Sequence, residues 1–152
     1  MARVERCVKG VVFYVSPTGN DGWSGKLDEP NADKTDGPFA TIAKAVEALR
    51  QDKTQANEAV SIVLRDGMHF LDKPICLDQT DGGSKTCPVT YMAYPDEMPV
   101  ISGGKRITGE WKKYDDNIMV CNIPEVKEGK WRFNQLFVNG ERQTRARIPH
   151  EG

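Results

Sequence analysis

The sequence predicts a mainly β fold, the start of a parallel β-helix, and three observations point to it. Short apolar runs recur roughly every ten residues between turn formers across 60–104, and 14 glycines with nine prolines supply many tight turns. A single amphipathic helix precedes these runs. Because each rung of a solenoid buries its apolar face only by stacking on a neighbour, we interpret the helix as a cap on the first rungs.

The first predicted element is a strand at Val11–Val15, an apolar run that the turn formers of Ser16–Gly22 bring to an end. A polar loop then continues to about Pro38. Within it, the segment Asn31–Gly37 carries oxygen ligands of the kind that calcium prefers, but it lacks the EF-hand spacing and the final glutamate. We therefore expect an ordinary turn there.

One amphipathic helix follows the turn at Pro38. Thr41 is the expected N-cap, and four apolar residues at helical spacing form one stripe: Ile42, Ala45, Val46 and Leu49. The sequence contains no second pattern of this kind, so we expect the stripe to cover a β surface. A helix in that place also blocks the open edge or end of a sheet.

From Val60 onward the apolar pattern shortens to runs that are typical of strands. The predicted strand runs are Ile62–Leu64, His69–Leu71, Ile75–Leu77, Val89–Tyr94 and Val100–Ile101. Their spacing alone also permits a sandwich or a barrel, but the brevity of the strands and the single helix before them favour a solenoid. A solenoid of few rungs exposes an unpaired end, so we expect self-association through it unless the C-terminal hairpin covers it.

The tail carries a β-hairpin signal. Two strand-like runs, 133–138 and 141–146, flank Asn139-Gly140, a pair that tolerates the two positive φ angles of a type I′ turn. On the second run, Arg145 and Arg147 share one face and are candidates to bind a carboxylated or phosphorylated ligand through paired N–H donors. The alternative is a solvated hairpin face.

Charge and hydropathy restrict the partners. With 21 basic and 22 acidic side chains the formal net charge is -1, so no global field attracts nucleic acid or an acidic lipid surface. No apolar stretch approaches the length of a transmembrane helix or of a signal-peptide core. We therefore expect no nucleic-acid or membrane partner, and the cellular location stays open.

The sequence predicts no metal site and no cofactor. The four cysteines are widely spaced without a CxxC pair, and two histidines are the only imidazoles: Cys7, Cys76, Cys87, Cys121, His69 and His150. Cys76 lies in an apolar run and is interpreted as a buried free thiol. A P-loop, a Rossmann glycine pattern, HExxH and GxSxG are all missing from the sequence.

Five segments in order carry a resemblance to a known family: FYVSPTGNDGWSG, DGPFATIAKAVEALR, VLRDGMHFL, PVTYMAYPDEMPVISGG and QLFVNGERQTRAR. Together they resemble the N-terminal portion of right-handed parallel β-helix proteins of the pectin-lyase-like superfamily, and most of all bacterial glycoside hydrolases with fucosidase and xylanase activities. Members of that group are several times longer, are usually exported and carry their catalytic acids downstream. The resemblance implies an N-terminal fragment of a protein that acts on plant or algal polysaccharide, itself lacking the catalytic acids.

Candidate acids can also be judged by residue type. Glycosidic cleavage needs two carboxyl groups, about 5–5.5 Å apart for retention or about 6.5–9.5 Å for inversion. The candidates by type are Asp66, Asp72, Asp78, Asp81, Asp115 and Asp116. Most lie beside Gly, Pro or Lys, which favours structural roles in turns. The catalytic residues stay unknown, and the alternative function is a noncatalytic glycan-binding or surface and adhesion β-solenoid module.

Tryptophans offer flat faces for a sugar ring. Trp23, in a glycine-rich loop, is the best candidate for carbohydrate binding, against the alternative that it attaches the loop to the body of the protein. Trp111 and Trp131 are expected to pack. As organisation we expect one incomplete domain, 1–152, with three parts: strand, loop and cap helix (11–50), first rungs (60–110) and a hairpin-containing extension (111–152).

Overall fold

The computed structural model describes residues 10–51, 58–85 and 87–144. Contacts divide the chain into two compact units, Met1–Lys105 and Arg106–Gly152. Among the described residues, the first unit contains one α-helix and five strands, and the second contains two hairpins and a short helix. Neither of these helices has the length and apolar character needed to cross a lipid bilayer.

The β-branched runs of the first unit form two parallel sheets. In the larger sheet, β2 (Val60–Leu64) lies between β1 (Val11–Val15) and β4 (Val89–Ala93). In the smaller sheet, β3 (Met68–Phe70) pairs with β5 (Val100–Ser102). β2 is buried along its whole length, as expected for the central strand of a parallel sheet that is covered on both faces.

Helix α1 (Ile42–Gln51) covers the larger sheet through its apolar stripe. All four residues of the predicted stripe are buried, which confirms the helix and its orientation. Thr41 Oγ1 accepts a hydrogen bond from the Lys44 N–H at 3.1 Å, so the predicted N-cap is also confirmed. The stripe belongs to one hydrophobic core with Phe13, Val15, Phe39, Val60, Ile62 and Leu64.

A cluster around Arg65 attaches the long polar loop to the sheets. The Arg65 guanidinium lies 2.9 Å from Glu97 Oε1, donates to the backbone carbonyl of Asp28, and lies 4.3 Å from the centroid of the Tyr94 ring. The Tyr94 hydroxyl donates to Asp28 Oδ2 at 2.9 Å. Because planar guanidinium groups combine paired hydrogen bonds with stacking, one arginine connects the loop, β2 and the turn after β4.

The second unit begins with a hairpin that the sequence analysis did not predict. β6 (Trp111–Asp115) pairs antiparallel with β7 (Ile118–Cys121), and their register shifts between Lys113 and Asp115. The short helix α2 (Pro124–Lys127) follows, with a proline in its first turn, where no backbone N–H is required.

The predicted Asn139-Gly140 hairpin is confirmed. β8 (Phe137–Val138) pairs antiparallel with β9 (Glu141–Arg142). Asn139 and Gly140 have φ angles of 52° and 82°, the two positive values that a type I′ turn requires. Strand β9 ends at Arg142, whereas the predicted strand continued to residue 146.

The prediction of a right-handed parallel β-helix start, with a cap helix and first rungs, is wrong for the described residues. Their strands form small separate sheets, two parallel and two antiparallel, without solenoid stacking, so the fold is mixed and only weakly mainly β. The run Ile75–Leu77 is irregular chain rather than a strand. Short apolar runs between turns indicate which face is buried but not which strand is the partner, so their spacing did not distinguish these architectures.

Candidate functional site

A cleft of about 550 Å³ lies beside helix α1 in the first unit. Ile42, Val46 and Arg50 line it from the helix, the segment 69–76 lines it from the chain that begins in β3, and Asp21 lies at the helix N-terminus. We refer to this feature as the helix cleft. Its size is within the usual range for small-molecule sites, about 300–1,000 Å³.

Asp21 fixes the N-terminal end of the helix cleft. Its Oδ1 accepts hydrogen bonds from the backbone N–H groups of Ala40 at 2.8 Å and Thr41 at 2.9 Å, and the Thr41 hydroxyl donates to Oδ2 at 2.8 Å. A carboxylate is well placed there because helix N-termini present N–H donors that the helix itself leaves unpaired. The polar loop and α1 are thereby joined.

His69 is the buried polar residue in the lining of the helix cleft. Only 5% of the residue is exposed, since the middle position of β3 faces inward. Its Nε2 lies 2.8 Å from the Arg65 carbonyl oxygen. Because a carbonyl only accepts, Nε2 carries the proton, and in the neutral ring Nδ1 is then an acceptor. Nδ1 is buried and has no hydrogen-bond partner among the described residues.

Arg50 connects the other end of the helix cleft to a buried carboxylate. Its Nε and Nη2 donate to Asp81 Oδ1 and Oδ2, each at 2.7 Å, and Nη2 also donates to the Cys76 carbonyl at 2.9 Å. Hydrogen bonds from Arg50, and then from the Asp78 backbone N–H, hold the pKa of Asp81 at about 2. Asp81 is therefore a permanently charged structural anion at neutral pH.

Two further carboxylates have lowered pKa values. Hydrogen bonds from the backbone and hydroxyl of Ser24 lower the pKa of Asp36, and a hydrogen bond from Arg65 lowers the pKa of Glu97. A glycosidic general acid needs the opposite shift, toward neutrality. Asp36, Asp81 and Glu97 therefore serve the fold rather than proton donation.

The candidate carbohydrate-binding residues fall in different places. Trp23 is half-buried, and its ring lies against Gly37, where an added Cβ would come within 2.7 Å of Trp23 Cε3. Trp23 is not part of the lining of the helix cleft. Arg145 and Arg147 lie outside the described residues. The role of these three residues in carbohydrate binding stays a prediction.

The other tryptophans differ from each other. Trp111, on β6, is 49% exposed, so it is less buried than the expected packing role would make it. Trp131 is half-buried and its ring centroid lies 5.3 Å from that of Phe133. Trp131 therefore packs in the second unit, as expected.

The calcium-like segment forms an ordinary turn. Asn31 Oδ1 accepts hydrogen bonds from the backbone N–H groups of Thr35 at 2.8 Å and Asp36 at 3.1 Å. Both Asp36 carboxylate oxygens accept hydrogen bonds from Ser24. The oxygens that suggested calcium are thus used to close the loop.

The prediction that Cys76 is buried is wrong, although the cysteine is free as predicted. Cys76 is exposed, because the run that contains it is irregular chain at the rim of the helix cleft and not a buried strand. Cys76, Cys87 and Cys121 are free cysteines in the part of the chain that the structure describes.

Sequence reasoning did not identify the helix cleft. In the sequence, His69 was predicted to lie in a strand and was one of two imidazoles, and Asp72 was one of several aspartates in turn contexts. The available signal was the histidine at the inward position of Met68–Phe70, a strand with exposed residues on both sides of it. A buried histidine between apolar neighbours needs hydrogen-bond partners for both nitrogens, and that requirement marks the position.

No family model matches the chain, and no curated protein matches it either. Among solved structures, the chain is similar to a glycoside hydrolase, with 29% sequence identity and a TM-score of 0.70 over 89% of this chain. The match covers 22% of that protein's chain, so this chain spans about one fifth of its length. This likeness supports a relation to glycoside hydrolases and a carbohydrate-related function. The family resemblance read from the sequence is confirmed at that level.

Proposed function

We propose that this chain is a carbohydrate-binding, noncatalytic part of a glycoside hydrolase-like protein. The likeness to a solved glycoside hydrolase, at 29% identity and a TM-score of 0.70, carries the proposal. The carbohydrate is a plant or algal polysaccharide or an oligosaccharide derived from it. The catalytic acids belong to a different part of such a protein.

The electrostatics of three carboxyl groups, Asp36, Asp81 and Glu97, support a noncatalytic role. A general acid must hold its proton near neutral pH, which requires an apolar surrounding or a second carboxylate close by. Instead, Asp81 is paired with Arg50, Glu97 is paired with Arg65, and Asp36 accepts hydrogen bonds from Ser24. Each of these partners favours the charged form.

The helix cleft supports the binding part of the proposal. Sugar rings have apolar C–H faces and polar edges, and the helix cleft combines apolar residues such as Ile42 and Phe70 with polar ones such as Asp72. Sites with mostly apolar walls and a few polar groups are the usual form of small-molecule sites.

The test is to incubate the chain with a panel of plant and algal polysaccharides and to measure binding and reducing-end release in the same samples. We expect binding to at least one polymer without release of reducing ends. Reducing-end release that persists in independently purified samples would overturn the noncatalytic assignment. Absence of binding to every polymer would overturn the carbohydrate assignment.

A further inference from the structure

One face of the β6–β7 hairpin, in the second unit, carries an exposed tryptophan. The register places Trp111 opposite Cys121 and Lys113 opposite Met119, so these four side chains lie on the same face. Trp111 is 49% exposed and Met119 is 54% exposed. We refer to the surface formed by these four residues as the hairpin face.

Trp111 differs from the other two tryptophans in how much of its surface is free. Trp23 lies against Gly37, and Trp131 packs on Phe133. In contrast, β6 is exposed along its whole length. The indole of Trp111 therefore presents a flat apolar ring to solvent, and the C–H groups on one side of a sugar ring are complementary to such a surface.

An ion pair on the hairpin supplies polar groups beside this ring. Lys113 Nζ donates to Asp116 Oδ1 at 3.1 Å, in the turn between β6 and β7. The two side chains are 62% and 94% exposed, so both remain hydrated. Side chains two positions apart on a strand are about 6–7 Å apart, within reach of one or two sugar residues. Sugar hydroxyls both donate and accept, so they can replace this water at the ammonium and at the carboxylate.

This combination of groups suits a carbohydrate better than a protein partner. The cores of protein interfaces are enriched in Trp and Met but depleted of Lys and Asp. A protein surface packed on Trp111 would also remove water from Lys113 and Asp116, which is costly for charged groups. The charges of that pair cancel, so the hairpin face has no surplus charge to attract an acidic sugar. The likeness to a solved glycoside hydrolase, over 89% of this chain, favours the same kind of ligand.

We propose that the hairpin face binds an uncharged sugar residue of a polysaccharide, which stacks on Trp111 and forms hydroxyl hydrogen bonds with Lys113 and Asp116. This inference rests on the proposed carbohydrate function. It adds a binding surface in the second unit, the charge class of the sugar and three residues that recognise it.

Three free cysteines report on where a sugar binds. Cys121 lies on the hairpin face, Cys76 lines the helix cleft, and Cys87 belongs to neither. The experiment labels the full chain with N-ethylmaleimide, with and without uncharged xylo-, gluco- or galacto-oligosaccharides, and quantifies each labelled cysteine by mass spectrometry. Only the unliganded protein reacts, so a ligand concentration about ten times Kd should slow labelling of Cys121 about tenfold and leave Cys87 unchanged. Oligogalacturonate is the acidic comparison and should not protect Cys121.

Variants test the named residues by calorimetric titration. Trp111→Ala should weaken binding of the oligosaccharide about tenfold, and Trp111→Phe, which keeps a smaller ring, about threefold. Lys113→Met keeps the length of the side chain but removes the ammonium group, and it should weaken binding about threefold. Phe137→Ala removes an aromatic residue that is 57% exposed on a different hairpin, and it should leave binding unchanged. The circular dichroism spectrum of each variant should match that of the wild type.

The outcomes separate this inference from the proposed function. Sugar binding that leaves Cys121 labelling unchanged, that protects Cys76 alone, or that Trp111→Ala does not weaken would overturn the hairpin face and leave the carbohydrate function standing. Binding of oligogalacturonate alone would overturn the charge class. Slower labelling of Cys121 at higher protein concentration, without sugar, would assign the hairpin face to a second copy of the chain and overturn the inference. If no carbohydrate bound at all, both proposals would fail together.

Discussion

Arg50 and Asp81 are joined by two parallel hydrogen bonds, each 2.7 Å long, although Arg50 lies on helix α1 and Asp81 ends a single 3₁₀ turn at Gln79–Asp81. The Asp81 side chain is 1% exposed and the Arg50 side chain is 46% exposed. A buried carboxylate of this kind depends on its cation, because burial without a partner strongly disfavours the charge. The pair therefore fixes the rim of the helix cleft on the side of Cys76.

The Arg50–Asp81 pair should make stability depend on acid pH. The pKa of Asp81 is lowered from 3.8 to about 2, so its contribution is complete above about pH 4 and is lost as the pH falls toward about 2. Asp81→Asn should lower Tm by about 5 °C at neutral pH. It should also flatten the dependence of the urea midpoint on pH below about 4. Asp33→Asn, which removes an exposed loop charge, is the control. An equal pH dependence in wild type and Asp81→Asn would contradict the assignment.

The hydrogen bonds of Thr41 predict a measurable capping energy. Thr41→Val keeps the shape of the side chain but removes the hydroxyl that accepts from Lys44 N–H and donates to Asp21. We expect a loss of about 1–2 kcal/mol in the free energy of unfolding, measured by urea titration. Thr41→Ser, which keeps the hydroxyl, should recover most of it. If Thr41→Val were as stable as wild type, the hydroxyl would contribute nothing and the capping assignment would be wrong.

Leu49 should be among the most sensitive positions of the core. It lies on α1, is 0% exposed and packs in the hydrophobic core between the helix and the larger sheet. Leu49→Ala should lower the free energy of unfolding by about 2–5 kcal/mol, through lost apolar burial and the cavity left behind. Leu77→Ala removes the same atoms at a position that is 51% exposed and should have a much smaller effect. Similar losses for the two variants would argue against the described core.

The turn of the last hairpin should depend on the glycine at its second position. Gly140 has a φ of 82°, which an alanine adopts only with strain, so Gly140→Ala should weaken the β8–β9 pairing by about 1 kcal/mol. Cross-strand nuclear Overhauser effects between Phe137 and Arg142 measure that pairing. Gly103→Ala is a fair control, because an added Cβ there has open space and the φ angle is not positive. Unchanged cross-strand signals in Gly140→Ala would refute the turn type.

The strands β4 and β5 should promote self-association. Within the described residues each has a partner on one side only, and neither contains a charged residue or a proline, the usual protection of sheet edges. Val100 and Ile101 are about half exposed. We expect light scattering to show a mass that rises with concentration, and Ile101→Lys to reduce it. Leu77→Lys places the same charge away from the strands. A constant monomer mass over a wide concentration range would rule the association out.

Local features of the fold were predictable because they depend on neighbours in sequence. The apolar stripe of α1 follows from a period of 3.6, the N-cap at Thr41 from its hydroxyl, and the Asn139-Gly140 turn from positive φ angles. The strand at Val11–Val15 follows from a continuous β-branched and aromatic run. Each of these elements was confirmed, although the predicted arrangement of the sheets was wrong.

The sequence by itself therefore determined the helix, the first strand, the type of the last turn and the relation to glycoside hydrolases. Only the tertiary structure decided that the sheets are small and that some are parallel and others antiparallel. It also decided that Ile75–Leu77 is not a strand, and that His69, Phe70 and Arg50 line one cleft. The physical reason is that side-chain periodicity specifies a buried face, whereas strand partners and long-range ion pairs depend on how the whole chain packs. Arg50 and Asp81 illustrate this, because nothing in their local sequence indicates that they meet.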